Sequence, residues 1–152
     1  MDVLRNFTTG IYVLGVATDG VRNGMIASWV TQVSFDPPMV MAAVKKTRYT
    51  HDLIHDGGKF TVNVLRKDQK EIVPKFKGEK IVTENAINGV PVVAAANGAP
   101  ALKDSLGYVE CTLVQIIDSG DHTIFIGEVT GEKFVAPGEP LISYDLDHIY
   151  GG

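Results

Sequence analysis

Apolar and polar residues alternate along most of this chain with the period of two that belongs to β-strands, and only two short stretches carry a helical period. Residues 11–17 are rich in β-branched and aromatic side chains and stop at Asp19-Gly20, a turn signal. Residues 25–35 predict a second strand, bent or bulged, ending at Asp36-Pro37-Pro38. The two runs predict a hairpin with a loop of a few residues. Residues 39–44 are nearly all apolar, as expected of a strand covered on both faces. Thr47 is a candidate N-cap for a helix over residues 48–55, which Gly57-Gly58 stops.

Residues 59–65 set Phe60, Val62 and Val64 against Thr61 and Asn63, the pattern of a half-buried strand. Residues 68–76 place Ile72, Val73 and Phe76 at helical spacing, with Asp68 as candidate N-cap and Pro74 as a weak point. Residues 89–96, 107–118 and 122–135 read as strands, with Ser119-Gly120-Asp121 as a turn. Residues 141–145 predict a short closing strand. Strands outnumber helices and short turns join many of them. The pattern predicts a mostly β protein: one Greek-key-like antiparallel barrel over residues 1–152, with two small helices inserted. A doubly wound parallel sheet would need a helix after nearly every strand. No G-x-G-x-x-G or G-x-x-x-x-G-K-S/T motif is present.

Composition narrows the classes. The 152 residues are enough for one sizeable core. Net charge is −4, which disfavours general nucleic-acid binding. No apolar run approaches the roughly 20 residues that span a bilayer, and the first residues lack the pattern of a secretory signal. Cys111 is the only cysteine, so an internal disulfide and a cysteine metal cage are excluded. A cytoplasmic location is the expectation. Charge is unevenly spread: residues 1–80 hold 12 Lys and Arg against 8 Asp and Glu, and residues 81–152 hold 2 against 10. Two solvated faces account for this; so does a basic half that holds an anionic ligand.

The candidate chemistry gathers at residues 24–53. The strand at 39–44 runs into Lys45-Lys46-Thr47-Arg48, where a helix begins. Cations at a helix start suit a phosphate. Neighbouring strand residues face opposite ways, which favours Lys46, Thr47 and Arg48 over Lys45. Ser28, Thr31 and Gln32 fit either the solvent face of a strand or hydrogen bonds to a ligand. His51 and His55 have a chelating spacing without a supporting carboxylate or third histidine, and read as surface or capping residues. Cys111 reads as a buried structural thiol. Tyr144, His148 and Tyr150 form an aromatic tail, suited to covering a ligand or to terminal packing. Gly151-Gly152 is either a natural end or the start of a linker to an electron-transfer module.

Four segments, ASWVTQVSFDPPMV, KKTRYTHDLI, KFTVNVL and GDHTIFIGEV, occur in an order and spacing that resembles the flavin reductase-like family of FMN-binding split barrels. The likeness is greatest to flavoredoxin-type members and to flavin domains joined to rubredoxin. The resemblance implies bound FMN, with FAD as the other flavin left open, and NAD(P)H as co-substrate. It implies a homodimer with each flavin near the interface. Ala27, Ser28, Trp29, Val30, Thr31 and Gln32 would line the flavin and its ribityl phosphate. Lys46, Thr47, Arg48 and Tyr49 would lie near the phosphate. His122, in the Gly-Asp-His turn, would contact the nicotinamide or donate a proton near the flavin. Trp29 stands where relatives often carry a small polar residue, so it either stacks near the flavin or points away. The implied activity is hydride transfer from NAD(P)H to FMN, with electrons passed to free flavin, ferric iron, oxygen or a redox protein. The alternative is an FMN electron carrier that serves partners such as rubredoxin without reacting with nicotinamide. A haem-binding or non-redox relative and a pyridoxamine-phosphate oxidase-like enzyme are further alternatives on the same barrel.

Overall fold

The structure, a computed structural model, describes residues 2–146. After a short helix α1 (Asp2–Arg5), ten strands follow: β1 (Tyr12–Thr18), β2 (Val21–Ala27), β3 (Val30–Phe35), β4 (Pro38–Lys45), β5 (Lys59–Val64), β6 (Ala86–Ile87), β7 (Val90–Ala94), β8 (Pro100–Leu102), β9 (Gly107–Ser119) and β10 (His122–Phe134). Helix α2 (Tyr49–Gly57) separates β4 from β5, and a 3-10 run, Lys67–Phe76, follows β5. Seven strands pair antiparallel in the order β2-β1-β5-β9-β10-β4-β3; β6, β7 and β8 form a small second sheet.

The large sheet closes on itself through its core. Leu14 and Val16 of β1, Met25 and Ala27 of β2, Ala42 and Val44 of β4, Phe60 and Val62 of β5, Cys111 and Phe125 pack together with Leu53 and Ile54 of α2. Residues from β2 and from β4, at opposite ends of the strand order, thus share one interior. This is the mostly antiparallel barrel that the alternation predicts and the split barrel that the resemblance implies. A second core lies outside the barrel wall, where Ile11, Val13 and Ile26 meet Ile72, Val73 and Phe76 of the 3-10 run and Ile87, Val90 and Val92 of the small sheet.

The second core corrects two expectations. Thr61 and Asn63 face it rather than solvent and are fully buried. Thr61 donates to Pro100 O at 2.6 Å, Asn63 Nδ2 donates to Val13 O at 2.9 Å, and Leu102 N–H donates to Asn63 Oδ1 at 2.8 Å. Their polar groups staple the small sheet to the barrel. The doubly covered strand is β1, between the two cores, and not β4, where only Ala42 and Val44 are fully buried.

Other boundaries shift for local reasons. Asp19 and Gly20 both take positive φ, 48° and 79°, as a two-residue type I′ turn requires. The hairpin is therefore tighter than expected and β2 begins at Val21, opposite Thr18. Residues 25–35 are not one strand: the chain breaks at Ser28-Trp29, and a bulge follows in β3 between Gln32 and Ser34. Helix α2 is capped at Arg48 without a side-chain bond, so Thr47 is not its N-cap. The run over 67–76 is 3-10 rather than α-helical, bends at Gln69 and holds Pro74. Gln69 Oε1, not Asp68, accepts the Arg66 N–H at its start, at 2.9 Å. Residues 141–145 make one bridge, Ile142 to Gly10, and then a 3-10 turn. The expectations for His148, Tyr150 and Gly151-Gly152 lie outside the described residues.

Candidate functional site

β2 and β3 are consecutive in sequence yet occupy the two opposite edges of the seven-stranded sheet. Two residues, Ser28 and Trp29, make that jump, so they mark the seam where the barrel closes. The Trp29 carbonyl accepts the Ala43 N–H at 2.9 Å, which hands the chain over to β4. Ser28 is 2% exposed. Its hydroxyl oxygen is buried and has no hydrogen-bond partner.

Trp29 packs against a second predicted site residue. Its ring lies against that of His122, with centroids 4.5 Å apart and planes at 39°, and 44% of the residue remains exposed. His122 begins β10 opposite Lys45 and Ser119 and is 7% exposed. Its Nδ1 lies 2.6 Å from Asp121 Oδ1. Its Nε2 is buried without a partner. Ser28 Oγ and His122 Nε2 are the two buried side-chain polar atoms left unsatisfied among the described residues, and both flank Trp29. An unpaired buried polar atom costs on the order of 1–3 kcal/mol. Two such atoms, one on the ring that packs against Trp29 and one on its chain neighbour, make this stretch a candidate ligand site.

The predicted cations separate into two kinds. Lys46 Nζ is ion-paired with Asp118 at the end of β9, and its N–H donates to Asp121 O at 3.0 Å. Lys46 therefore clamps the hairpin that carries His122, and the pair holds the Asp118 carboxyl below the usual carboxylate range. Arg48 is half-buried at the start of α2 and makes no ion pair among the described residues. Lys80 lies close enough to Arg48 to feel its charge: burial lowers the Lys80 ammonium from its ordinary value, and the Arg48 guanidinium adds to the shift. Neither cation has a carboxylate partner among the described residues, which leaves both available to an anion.

Lys80 was not foreseen. The turn that carries it is tied in place from afar: Arg22 Nη2 donates to Thr83 O at 2.8 Å and Glu84 O at 2.9 Å, and Asn88 Nδ2 donates to Lys75 O at 2.8 Å. Nothing local in the sequence signals those ties.

The remaining named residues are spread. Ala27 is in the barrel core and Val30 packs against it. Thr31 and Gln32 are exposed on β3, and Gln32 Nε2 donates to Ser34 O at 3.1 Å. Thr47 and Tyr49 are exposed. Thr50, buried in the first turn of α2, donates to Met25 Sδ at 2.7 Å and fixes the helix start against β2. His51 Nε2 meets Thr123 Oγ1 at 2.7 Å, and its ring stands edge-on to Phe125 at 5.2 Å. Burial, with the Glu110 charge adding, pushes the Cys111 thiol up to about 12, the state of an inert core thiol. No helix among the described residues is long and apolar enough to cross a membrane.

The residues present fit a flavin phosphate: two unpaired cations for the phosphoryl end, and an aromatic ring with two unsatisfied polar atoms for a flat heteroaromatic ring. The sequence profile described as flavin reductase like domain matches residues 4–149. A diflavin flavoprotein of Synechocystis sp. is 34% identical over 133 residues, which cover 87% of this chain and 23% of that protein. The high molecular weight rubredoxin of Moorella thermoacetica is 31% identical over 140 residues, 91% of this chain and 61% of that one. The chain thus spans under two thirds of these two curated relatives. Among solved structures, the styrene monooxygenase flavin reductase of Pseudomonas putida S12 superposes with a TM-score of 0.79 at 31% identity, covering 92% of this chain and 88% of that one.

Proposed function

The chain belongs to the flavin reductase like domain family, and from that premise we propose that it is a flavin-dependent oxidoreductase that holds FMN at the barrel seam and takes its reducing equivalents from NAD(P)H. The observation that carries this is the partly exposed Trp29 ring lying against His122, whose buried Nε2 is unpaired, with the buried, unpaired Ser28 hydroxyl next to Trp29 in the chain. The flavin supplies the redox chemistry when bound, accepting hydride and releasing electrons to free flavin, ferric iron, oxygen or a redox protein.

The chain's own residues bind and orient. Arg48 and Lys80 neutralise the phosphate, with Thr47 and Tyr49 beside it and Lys46 supporting the adjoining hairpin. The segment from Ala27 to Gln32 lines the ring and ribityl chain: Ala27 and Val30 fix its backbone to the core, and Ser28, Thr31 and Gln32 supply hydrogen-bonding groups. Trp29 walls one side of the ring, and His122 contacts the flavin or the nicotinamide. Two cations match the roughly two negative charges of the FMN phosphate.

The same site serves a second reading, an FMN electron carrier that exchanges electrons with a protein partner. The likeness to a rubredoxin-named relative favours it. A homodimer fits either reading. β9 runs past its last pairing with β5, at Thr112, and exposes Val114, Ile116 and Ile117; Val33 and Phe35 are exposed on the edge strand β3. An apolar surface next to an unpaired edge suits a second copy.

The deciding experiment is the absorption spectrum and released chromophore of the purified protein, followed by anaerobic mixing with NADH and with NADPH. Yellow protein that bleaches rapidly on mixing supports the reductase. Yellow protein that stays oxidised with both nucleotides but is reduced quickly by a protein donor supports the carrier. Colourless protein that takes up no FMN on titration refutes both.

A further inference from the structure

The two orphaned atoms of the seam differ in kind. The Ser28 hydroxyl can rotate to suit any partner, whereas the role of His122 Nε2 is set by the proton on the opposite ring nitrogen. Asp121 Oδ1 stands 2.6 Å from His122 Nδ1. An ionised carboxylate only accepts hydrogen bonds, so Nδ1 carries the hydrogen. Asp121 stays ionised: the hydrogen bond from His122 holds its carboxyl below the usual carboxylate range, and Lys45 adds to the effect. In the neutral ring, Nε2 is then a bare lone pair.

The ring is also held in place. Trp29 lies against it, and the Lys46 N–H on the Asp121 carbonyl, together with the Lys46–Asp118 ion pair, clamps the turn from which it projects. A fixed lone pair, buried and unpaired, discriminates by chemistry. It accepts an N–H and repels a carbonyl or phosphate oxygen.

We propose that Asp121 is a positioning residue that fixes His122 as the Nδ1–H tautomer, so that Nε2 enters the seam as an acceptor for an amide-type N–H of the bound ligand. The proposal rests on the flavin and nicotinamide reading of this site and deepens it. Two groups there have the required chemistry: the imide N–H of an isoalloxazine ring and the carboxamide N–H of a nicotinamide. Asp121 itself is 79% exposed along its side chain. It acts through His122 and does not touch the ligand.

The test is nitrogen NMR of the protein labelled in its histidine rings, recorded free, then with FMN, then with NAD+ added to the FMN complex. In the free protein, His122 should show a protonated Nδ1 and a bare Nε2. The bare Nε2 resonance should move toward a hydrogen-bonded position on adding FMN if the imide is the partner, and only on adding NAD+ if the carboxamide is. An Nε2-protonated ring in the free protein, or an Nε2 resonance that neither ligand moves, overturns the proposal. Asp121→Asn should yield a mixture of tautomers and weaken whichever ligand is held by about tenfold, the worth of one hydrogen bond. A variant with the wild-type tautomer and unchanged affinity removes Asp121 from the role. Failure to take up FMN would refute the flavin site, while the tautomer of the free protein would still decide what Asp121 does.

Discussion

Two regions of this protein bury polar side chains, and they do so in opposite ways. Where β5 leads into the 3-10 run, Arg66 has its donors met: Nε by Asp68 at 3.0 Å, Nη1 by Asp104 at 2.8 Å and by Ser105 O at 2.9 Å, and Nη2 by Asp104 at 3.0 Å. Gln69 Nε2 adds a bond to Asp104 O at 3.1 Å. At the seam, Ser28 and His122 each keep an atom without a partner, and Arg48 and Lys80 have no carboxylate partner among the described residues. A cavity of about 330 Å³ lies beside Arg66, lined also by Asp104, Lys75 and Val90. The polar side chains held closest to the fold beside it, Arg66 and Gln69, are already paired, and Glu71 and Lys75 at its rim are exposed to water. Room for a ligand is therefore a poorer guide than unsatisfied chemistry: the paired region holds the fold together, and the unpaired one waits for something else.

Substitutions that separate stability from affinity test this contrast. The largest effect is expected from Arg66→Ala, which removes four hydrogen bonds at a half-buried hub. It should lower the unfolding free energy by about 2–3 kcal/mol in urea denaturation and leave FMN affinity unchanged. A parallel loss of affinity would break the comparison.

Lys80→Gln should do the reverse. Removing one charge-assisted contact should weaken FMN by about thirtyfold in a fluorescence titration, roughly 2 kcal/mol. Riboflavin, which lacks the phosphate, should bind as before, and the free protein should be no less stable because the repulsion with Arg48 is gone. Ser28→Ala removes a buried hydroxyl that nothing satisfies. It should leave the free protein's stability unchanged or raised by up to about 1 kcal/mol, and weaken FMN by roughly fivefold.

The smallest effect is pH-dependent. The hydrogen bond from Arg66 holds the Asp104 carboxyl below its ordinary value. A carboxyl depressed by folding adds stability above its unfolded value of about 3.9 and loses it as pH falls through the folded value. Wild type should exceed Asp104→Asn by no more than about 1 kcal/mol near neutrality, since the Asp104 side chain is 66% exposed and screened. The gap should begin to close as pH falls below about 4 and vanish once it is beneath the lower folded value. A gap that persists there would mean that the pairing does not depend on the carboxylate charge.

Much of this was legible one segment at a time. Asp19-Gly20 announced its turn, the alternation along 107–118 and 122–135 announced the long hairpin β9–β10, and Lys45 to Arg48 announced a cationic strand end. The errors came where a distant segment covers a face. Thr61 and Asn63 look like solvent-side residues until β8 arrives to bond them. The break at Ser28-Trp29 was read only as a bend, because a jump between opposite sheet edges leaves no trace in a run of strand-forming residues.

Periodicity, turn chemistry and local charge act over a few residues, so the sequence by itself determined the β class, most strands, the α2 helix, and the chain segments from which the seam is built. The function-bearing contrast is of another order. Which polar atoms end up paired depends on where the barrel closes, and that closure sets Trp29 on His122, Asp118 on Lys46 and Lys80 within reach of Arg48. Only the tertiary structure decided these, because burial withdraws water from a polar atom before its partner is chosen, and the partner comes from wherever the chain next returns.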